Sequence, residues 1–366
     1  MATNSSYRPL RVIISGGGTG GHIFPAVSIA GALKAACPDT EILFVGAEGR
    51  MEMEKVPAAG YRIVGLPIAG LQRKLTLANL ALPFKVLRSI RLAKKVVRDF
   101  APDIAVGVGG YASAPLLYAA QSLKVPTLIQ EQNGFAGLTN KILGKKAKSI
   151  CVAYEGMERF FPADRIVMTG NPIRSNIKPA ERPASEVRNL LIIGGSLGAG
   201  TINAAMKKWL EDGCPGGDYV KVLWQCGRYY KAGVDEFMAQ HPCPNIEHTD
   251  FIASMDSAYA AADLVISRAG ASSVSELCAM HKATIFVPSP NVAEDHQTCN
   301  AMALVRKDAA VLVKDVEASE KLLATAMELI HDTSRIASME ENIGRLALPQ
   351  AAQSIVDEVY RITDGL

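Results

Sequence analysis

One local pattern occurs twice in this chain, and it restricts the possible folds more than any other feature. Leu10 to Ile14 is a short apolar run that enters Ser15-Gly16-Gly17-Gly18-Thr19-Gly20-Gly21-His22 and continues into Ile23-Phe24-Pro25-Ala26-Val27. Asn189 to Ile193 likewise enters Gly194-Gly195-Ser196-Leu197-Gly198-Ala199-Gly200, followed by a helical stretch from Thr201 to Leu210. An apolar run of this length reads as a buried strand. Glycines after it let the backbone turn sharply and approach a ligand, and a helix that starts at once aims free N–H groups and its positive dipole end at the turn. Pro25 fits an early position in that helix, where an N–H would have no partner. Two such units about half a chain apart predict an α/β protein of two doubly wound domains facing each other across a cleft, with each turn built to hold something anionic or polar.

The first loop alone is ambiguous. Gly16, Gly18 and Gly21 satisfy the dinucleotide fingerprint G-x-G-x-x-G, and Glu48 after the next apolar run could serve as its ribose-binding acid. The duplication weighs against that reading. At 366 residues the chain is long enough for two substantial cores. Seven cysteines with no C-x-x-C pair point to a reduced compartment rather than a disulfide scaffold or zinc site, and residues 1 to 6 lack the apolar core of a signal peptide. Residues 104 to 123 are uncharged. Their glycines and Pro115 nevertheless read as strand, loop and helix rather than a membrane span. Strands are expected at 11–14, 41–45, 104–108, 126–130, 149–152 and 166–168, then at 190–193, 220–225, 264–266, 284–287 and 310–313. The hinge is placed between Asn171 and Pro183. This gives an N-terminal domain over 1–176, a C-terminal domain over 177–349, and a final helix over 350–366 that packs back on the first.

Charge is unequally divided. Residues 1–176 hold 22 Lys/Arg against 11 Asp/Glu and residues 177–366 hold 17 against 25, so the first half is the candidate for an anionic surface. From Val56 to Arg98 there are nine basic residues and no acidic one. Within it, Val86, Ile90, Ala93, Val97 and Phe100 have the spacing of a buried helix face, which makes 85–100 an ordinary amphipathic helix with a solvated basic side. Leu75, Leu77, Leu80, Leu82 and Phe84 have no clean helical register. Leucines flanked by cations are what contact with an anionic membrane surface requires. No aromatic platform or recognised motif accompanies the charge, so nucleic acid is not expected as a partner.

Two further loops follow strands in the first half, Gly107-Val108-Gly109-Gly110-Tyr111 and Glu131-Gln132-Asn133, and would lie beside the first glycine loop at one edge of a parallel sheet. In the second half, Ser267 to Glu276 joins a strand to a helix. Its N–H groups can hold a phosphate, and Glu276, a turn into the helix, can accept from paired ribose hydroxyls. With G-N-P-I-R at 170–174 and D-H-Q-T-C-N-A at 295–301, these motifs, in this order over nearly the whole chain, resemble the family 28 glycosyltransferases of GT-B fold that complete the lipid-linked precursor of peptidoglycan. One departure is His281-Lys282-Ala283, where that family usually has a Gly-x-Pro turn.

The resemblance implies two Rossmann-like domains and inverting transfer of N-acetylglucosamine from UDP-GlcNAc to the 4-hydroxyl of MurNAc in lipid I, at the cytoplasmic face of the plasma membrane as a peripheral enzyme. Other cell-wall synthesis proteins would be its neighbours there. It further implies that Thr19, Gly20, Gly21, Asn133, Arg174, Ser196, Ile252, Ala271, Ser272, Ser273, Val274, Ser275, Glu276, Gln297 and Asn300 bind the donor, and that Gly18, Gly109, Gly110 and Tyr111 bind the acceptor. For Tyr111, packing within its own loop is the competing reading. No D-x-D metal motif is present, so an arginine and helix N-termini are expected to stabilise the departing UDP, with no metal and no cofactor. His22 is the candidate base, since a helix N-terminus disfavours imidazolium and keeps the ring in the form a base needs. Its alternative is a capping role, and Glu131 is the second candidate. Two other functional classes stay open at this point, an NAD-dependent oxidoreductase and a silent sugar-nucleotide-binding or scaffold protein of the same fold.

Overall fold

The computed structural model describes residues 7–68, 82–174, 176–180, 185–195, 197–292 and 295–365, with the backbone alone for 82–84. The chain divides into two compact units, Met1–Arg174 with Pro349–Leu366, and Ser175–Leu348.

The first unit alternates β1 (Arg11–Gly16), α1 (Gly20–Ala36), β2 (Glu41–Ala47), α2 (Glu52–Ala58), β3 (Arg62–Leu66), α3 (Leu82–Phe100), β4 (Ile104–Gly109), α4 (Ser113–Ser122), β5 (Thr127–Glu131), α5 (Leu138–Gly144), β6 (Ser149–Val152) and β7 (Ile166–Met168). Its strands form one parallel sheet in the order β3-β2-β1-β4-β5-β6-β7. The chain reverses direction across the sheet between β1 and β4, which opens a crevice at their carboxyl ends. Helices cover both faces, so central strands read as unbroken apolar runs. Val12, Ile13 and Ile14 are fully buried, as are Ile104, Ala105 and Val106.

The second unit repeats the plan with β8 (Arg188–Ile193), α6 (Gly200–Glu211), β9 (Val220–Gln225), α7 (Lys231–Gln240), β10 (Ile246–Thr249), α8 (Met255–Ala261), β11 (Leu264–Ser267), α9 (Ala271–Ala279), β12 (Thr284–Phe286), α10 (His296–Val305), β13 (Val311–Leu312), α11 (Ala318–His331) and α12 (Thr333–Gly344). Its parallel sheet runs β10-β9-β8-β11-β12-β13, with the reversal between β8 and β11. The final helix, α13 (Ala351–Asp364), belongs to the first unit. There Ile355, Val356, Val359 and Tyr360 join the core formed by Ile29 and Leu33, and the Tyr360 hydroxyl donates to the Arg8 carbonyl at 3.0 Å.

Two strands escape the sequence reading, β3 and β10. Both are edge strands. Arg62–Leu66 has a glycine and is mostly half-exposed, while Ile246–Thr249 buries only its first residue. Neither carries the apolar run of a strand buried on both faces. The expected amphipathic face of α3 is present, with Ala93 and Val97 buried and Lys85, Arg88, Arg91 and Arg98 exposed. Leu75, Leu77 and Leu80 lie outside the described residues, as do the side chains of Leu82 and Phe84. Among the described residues no helix is long and apolar enough to cross a membrane.

Candidate functional site

In the first unit, three loops meet at the carboxyl edge of β1, β4 and β5. The β1–β4 register slips by one residue at Ser15 and Gly16, so that Gly16 pairs with Gly109. This irregularity swings the end of β4 against the first glycine loop, and the Gly17 N–H donates to the Gly109 carbonyl at 3.3 Å. The Ser113 hydroxyl, fully buried, lies 2.8 Å from the Gly109 carbonyl and 3.0 Å from that of Ser15. Only glycine tolerates this approach. A Cβ at Gly110, whose φ is +91°, would stand 2.3 Å from the Gly17 carbonyl oxygen, and one at Gly109 would stand 2.5 Å from Cδ2 of His22.

His22 is half-buried in the first turn of α1. Its Nδ1 lies 3.2 Å from the Gly17 carbonyl oxygen and 3.4 Å from Oγ1 of Thr19. Donation to the carbonyl requires the proton on Nδ1, which leaves Nε2, on the side facing Gly109, with a lone pair. Tyr111 is 46% exposed, with the Arg50 guanidinium 6.0 Å from its ring centre, so it is not packed away in its loop.

The loop holds a residue the sequence reading missed. Glu52, at the start of α2, is 1% exposed; its Oε2 accepts from the Gly18 N–H at 2.8 Å and its Oε1 from the Ala47 N–H at 3.0 Å. With the Gly17 and Gly18 N–H groups both engaged inside the protein, this part of the loop is not the open anion cradle expected from its glycines. A diphosphate placed over those two residues would also sit beside a buried carboxylate. Both facts argue against the dinucleotide reading, which needs these amides free for phosphate.

Glu131, at the end of β5, is almost completely buried. It accepts from Nδ2 of Asn140 at 2.8 Å and from the backbone N–H groups of Asn133 and Gly137 at 3.2 and 3.3 Å. Burial pushes its carboxyl above the ordinary range, against these donors, which pull it down. It thereby fixes the loop that presents Asn133, and its oxygens are already engaged. Asn140, which supplies its shortest bond, was not anticipated from the sequence.

In the second unit, the glycine loop after β8 interlocks with the loop after β9. Gly195 and Gly198 have φ of +83° and +89°, and a Cβ at Gly198 would lie 2.2 Å from the Cys226 carbonyl oxygen. Gln225, nearly buried, ties three segments together. Its Oε1 accepts from the Gly195 N–H at 3.0 Å, and its Nε2 donates to the carbonyls of Gly195 at 2.8 Å and Asp250 at 2.9 Å. Ile252 lies two residues beyond Asp250 and is half-buried. Ser196 lies outside the described residues.

The loop after β11 leads through Gly270 into α9, whose first turn, with Ala271, Ser272 and Ser273, has no acidic residue. The Ser272 hydroxyl oxygen is buried with no hydrogen-bond partner among the described residues. Val274 is buried, Ser275 half-buried, and Glu276 is 8% exposed with the Tyr259 hydroxyl donating to it at 3.1 Å. Arg268 is engaged elsewhere, pairing with Asp315 and donating to the Val287 carbonyl at 2.9 Å. Oε1 of Gln297 accepts from the Ser289 N–H at 2.8 Å. Asn300, expected at the sugar, is fully buried, and its Nδ2 donates to the Ala269 carbonyl at 3.2 Å. Arg174, the last residue of the first unit, is half-buried.

The departure at residues 281–283 has a local account. His281 takes a φ of +53°, the left-handed conformation that a glycine adopts without strain, and the buried Lys282 donates to the carbonyls of Ala260 and Ala262.

Models of the glycosyltransferase family 28 N-terminal and C-terminal domains match residues 12–152 and 189–355. The UDP-N-acetylglucosamine–N-acetylmuramyl-(pentapeptide) pyrophosphoryl-undecaprenol N-acetylglucosamine transferase of Parabacteroides distasonis is 54% identical over 98% of this chain and 99% of its own. The enzyme of the same name from Bacteroides fragilis is 56% identical over 96% of each chain. Among solved structures, MurG of Acinetobacter baumannii aligns over 96% of this chain and 100% of its own, with a TM-score of 0.81 at 30% identity.

Proposed function

The chain belongs to glycosyltransferase family 28, and on that footing we propose that it transfers N-acetylglucosamine from UDP-GlcNAc to the 4-hydroxyl of MurNAc in undecaprenyl-pyrophosphoryl-MurNAc-pentapeptide, giving lipid II. The observation that carries this reading is the near full-length likeness to transferases of that name. Its motifs also fall on the loops at the carboxyl edges of both sheets.

The second unit is the donor domain. The α9 N-terminus, with Ala271 to Ser275, receives the diphosphate together with Arg174 and Ser196. Glu276 takes the ribose, the Ile252 backbone the uracil, and Gln297, Asn300 and Asn133 the sugar. The first unit is the acceptor domain, with Gly18, Gly109, Gly110 and Tyr111 lining the path of the muramyl sugar, while Thr19, Gly20 and Gly21 of its glycine loop are assigned to the donor. In the reaction the acceptor oxygen attacks the anomeric carbon, its proton passes to Nε2 of His22, and the bond to UDP breaks with its electron pair on the phosphate oxygen. Glu131 we assign to positioning the Asn133 loop, because its oxygens already accept several N–H groups.

The enzyme works at the cytoplasmic face of the plasma membrane, held by Leu75, Leu77, Leu80, Leu82 and Phe84 among the basic residues of that stretch. Exposed Leu87, between Lys85 and Arg88, supports this placement. The decisive assay follows labelled GlcNAc from its UDP donor to lipid I analogues of long and short lipid chain, in EDTA, with NAD binding as control. Transfer to both, with slower transfer to the long-chain acceptor alone when Leu75, Leu80 and Phe84 are replaced by Ser, is the expected result. NAD binding without transfer would sink the reading.

A further inference from the structure

We propose that Glu52 is a positioning residue for His22, acting through the single peptide group that joins Gly17 to Gly18. This rests on the reading of His22 as the base. The two ends of that peptide are held by different partners. Its N–H, on Gly18, donates to Oε2 of Glu52 at 2.8 Å, and its C=O, on Gly17, receives Nδ1 of His22 at 3.2 Å. Carboxylate, peptide and imidazole thus form one hydrogen-bonded chain.

The carboxylate is placed for this at a cost. Glu52 is 1% exposed, and no Lys, Arg or His pairs with it among the described residues. Two backbone N–H groups, from Gly18 and Ala47, are what offset its burial. Each of its two oxygens thus accepts from a different backbone N–H. An anion drawing on a peptide N–H makes the carbonyl of the same peptide a stronger acceptor, since hydrogen bonds in a chain polarise one another. The Gly17 carbonyl then holds Nδ1–H of His22 more firmly. That fixes the tautomer, leaves Nε2 as the basic nitrogen, and offers stabilisation to the imidazolium that forms when the proton arrives. An orienting acid usually touches the imidazole directly; here one peptide stands between them. The α1 N-terminus, in contrast, opposes positive charge on the ring. Glu52 counters it.

Sterics show how closely the chain is fitted around this arrangement. A Cβ at Gly17 would lie 2.3 Å from Oε1 of Glu52, and one at Gly46 would lie 2.6 Å from its Cγ. On the opposite side, Gly110 and Gly109 press against the Gly17 carbonyl and the His22 ring. Four glycines, from the loop after β1, from β2 and from the end of β4 with the residue after it, therefore surround the chain of bonds. Beside this loop, Arg50 ahead of α2 lies 6.0 Å from the ring centre of Tyr111 after β4, and α2 itself also carries Glu54 and Lys55. Thr19, on the ring's own helix, offers Nδ1 a weaker partner at 3.4 Å.

The test compares wild type, Glu52→Gln, His22→Ala and the double variant in transfer to a short-chain acceptor. Glu52→Gln should lower kcat about ten- to hundredfold with KM within about threefold, and move the acidic limb of the pH profile to lower pH. In the His22→Ala background, where the relay has lost its end point, the same substitution should change the residual rate by less than about threefold. Independent, multiplicative losses, or an unmoved acidic limb, overturn the relay. A His22→Ala enzyme of near wild-type rate instead removes the base assignment itself, so the two failures are separable. Nitrogen-15 NMR of histidine-labelled wild-type protein needs no variant and decides the matter even if Glu52→Gln does not fold. A protonated Nδ1 on neutral His22 supports the relay, and a protonated Nε2 overturns it.

Discussion

The two glycine loops look alike in sequence and are fastened by opposite chemistry. Under the first stands a carboxylate, Glu52, which consumes the Gly18 N–H. Under the second stands a neutral amide, Gln225, which bonds both the N–H and the carbonyl of Gly195. A buried anion beside a loop repels a second anion, whereas an amide leaves the field of nearby helix termini intact. The first loop is thus suited to orient a neutral hydroxyl and a histidine. The second unit, with no acid in the first turn of α9, is suited to a diphosphate. A strand, glycine turn and helix define a place for chemistry; the residue beneath the turn decides its sign.

The hardest test of that division is to damage each loop separately. Gly110→Ala forces a side chain onto a φ of +91° and to 2.3 Å from the Gly17 carbonyl; Gly227→Ala forces one onto +86° and to 2.1 Å from the Gly198 nitrogen. Strain of about 1–3 kcal/mol from the backbone alone, with the clash added, should displace each loop. Transfer by Gly110→Ala should fall more than about a hundredfold while calorimetric donor affinity stays within about threefold. Gly227→Ala should lose donor affinity by about tenfold or more. Equal donor binding losses in both variants would mean the loops do not divide the substrates between them.

A smaller effect is expected at Glu276. Replacing it by Ala removes a charge-assisted hydrogen bond of about 1.5–3 kcal/mol, so donor affinity should fall roughly ten- to hundredfold with the first unit undisturbed. Tyr259→Phe, which removes only the hydroxyl donating to Glu276 at 3.1 Å, should cost less. Unchanged UDP-GlcNAc affinity in Glu276→Ala would reject the ribose assignment.

These residues also mark how far the sequence could be read. The paired glycine turns, His22, Glu131 and Glu276 are legible because each belongs to a local pattern, a strand end followed by a turn or a helix start. Glu52 and Gln225 are not. Glu52 is 34 positions from Gly18 and reads locally as an ordinary acid in a helix's first turn. Only the parallel pairing of β1 with β2 brings it under the loop. Gln225 ends an apolar strand where a polar residue carries no distinctive signal. Asn300 shows the converse, since its motif is plain while its hydrogen bond to the Ala269 carbonyl carries no local signal. Local chemistry is written in short segments, and support from beneath is written in strand order.

The smallest effect concerns the helix that the first unit has and the second lacks. Glu358, on α13, is pushed up by burial but held below its ordinary value of 4.5 by Arg361, which donates to both of its oxygens at 2.7 and 2.6 Å. A carboxyl whose folded value is lowered contributes stability above the unfolded value, and loses it as pH falls through the folded one. Arg361 is 64% exposed, so the pair is worth less than about 1 kcal/mol in water. Glu358→Gln should therefore unfold at slightly lower temperature than wild type at neutral pH, with the difference closing as the solution is acidified through and below the ordinary carboxylate range. Hydrogen exchange should place the loss in α13 and in α1, against which it packs, and leave β8 to β13 unchanged. A deficit that persists in acid would assign the effect to packing around Glu358 rather than to its charge, and one that extends to the second unit would show that α13 does not serve the first alone.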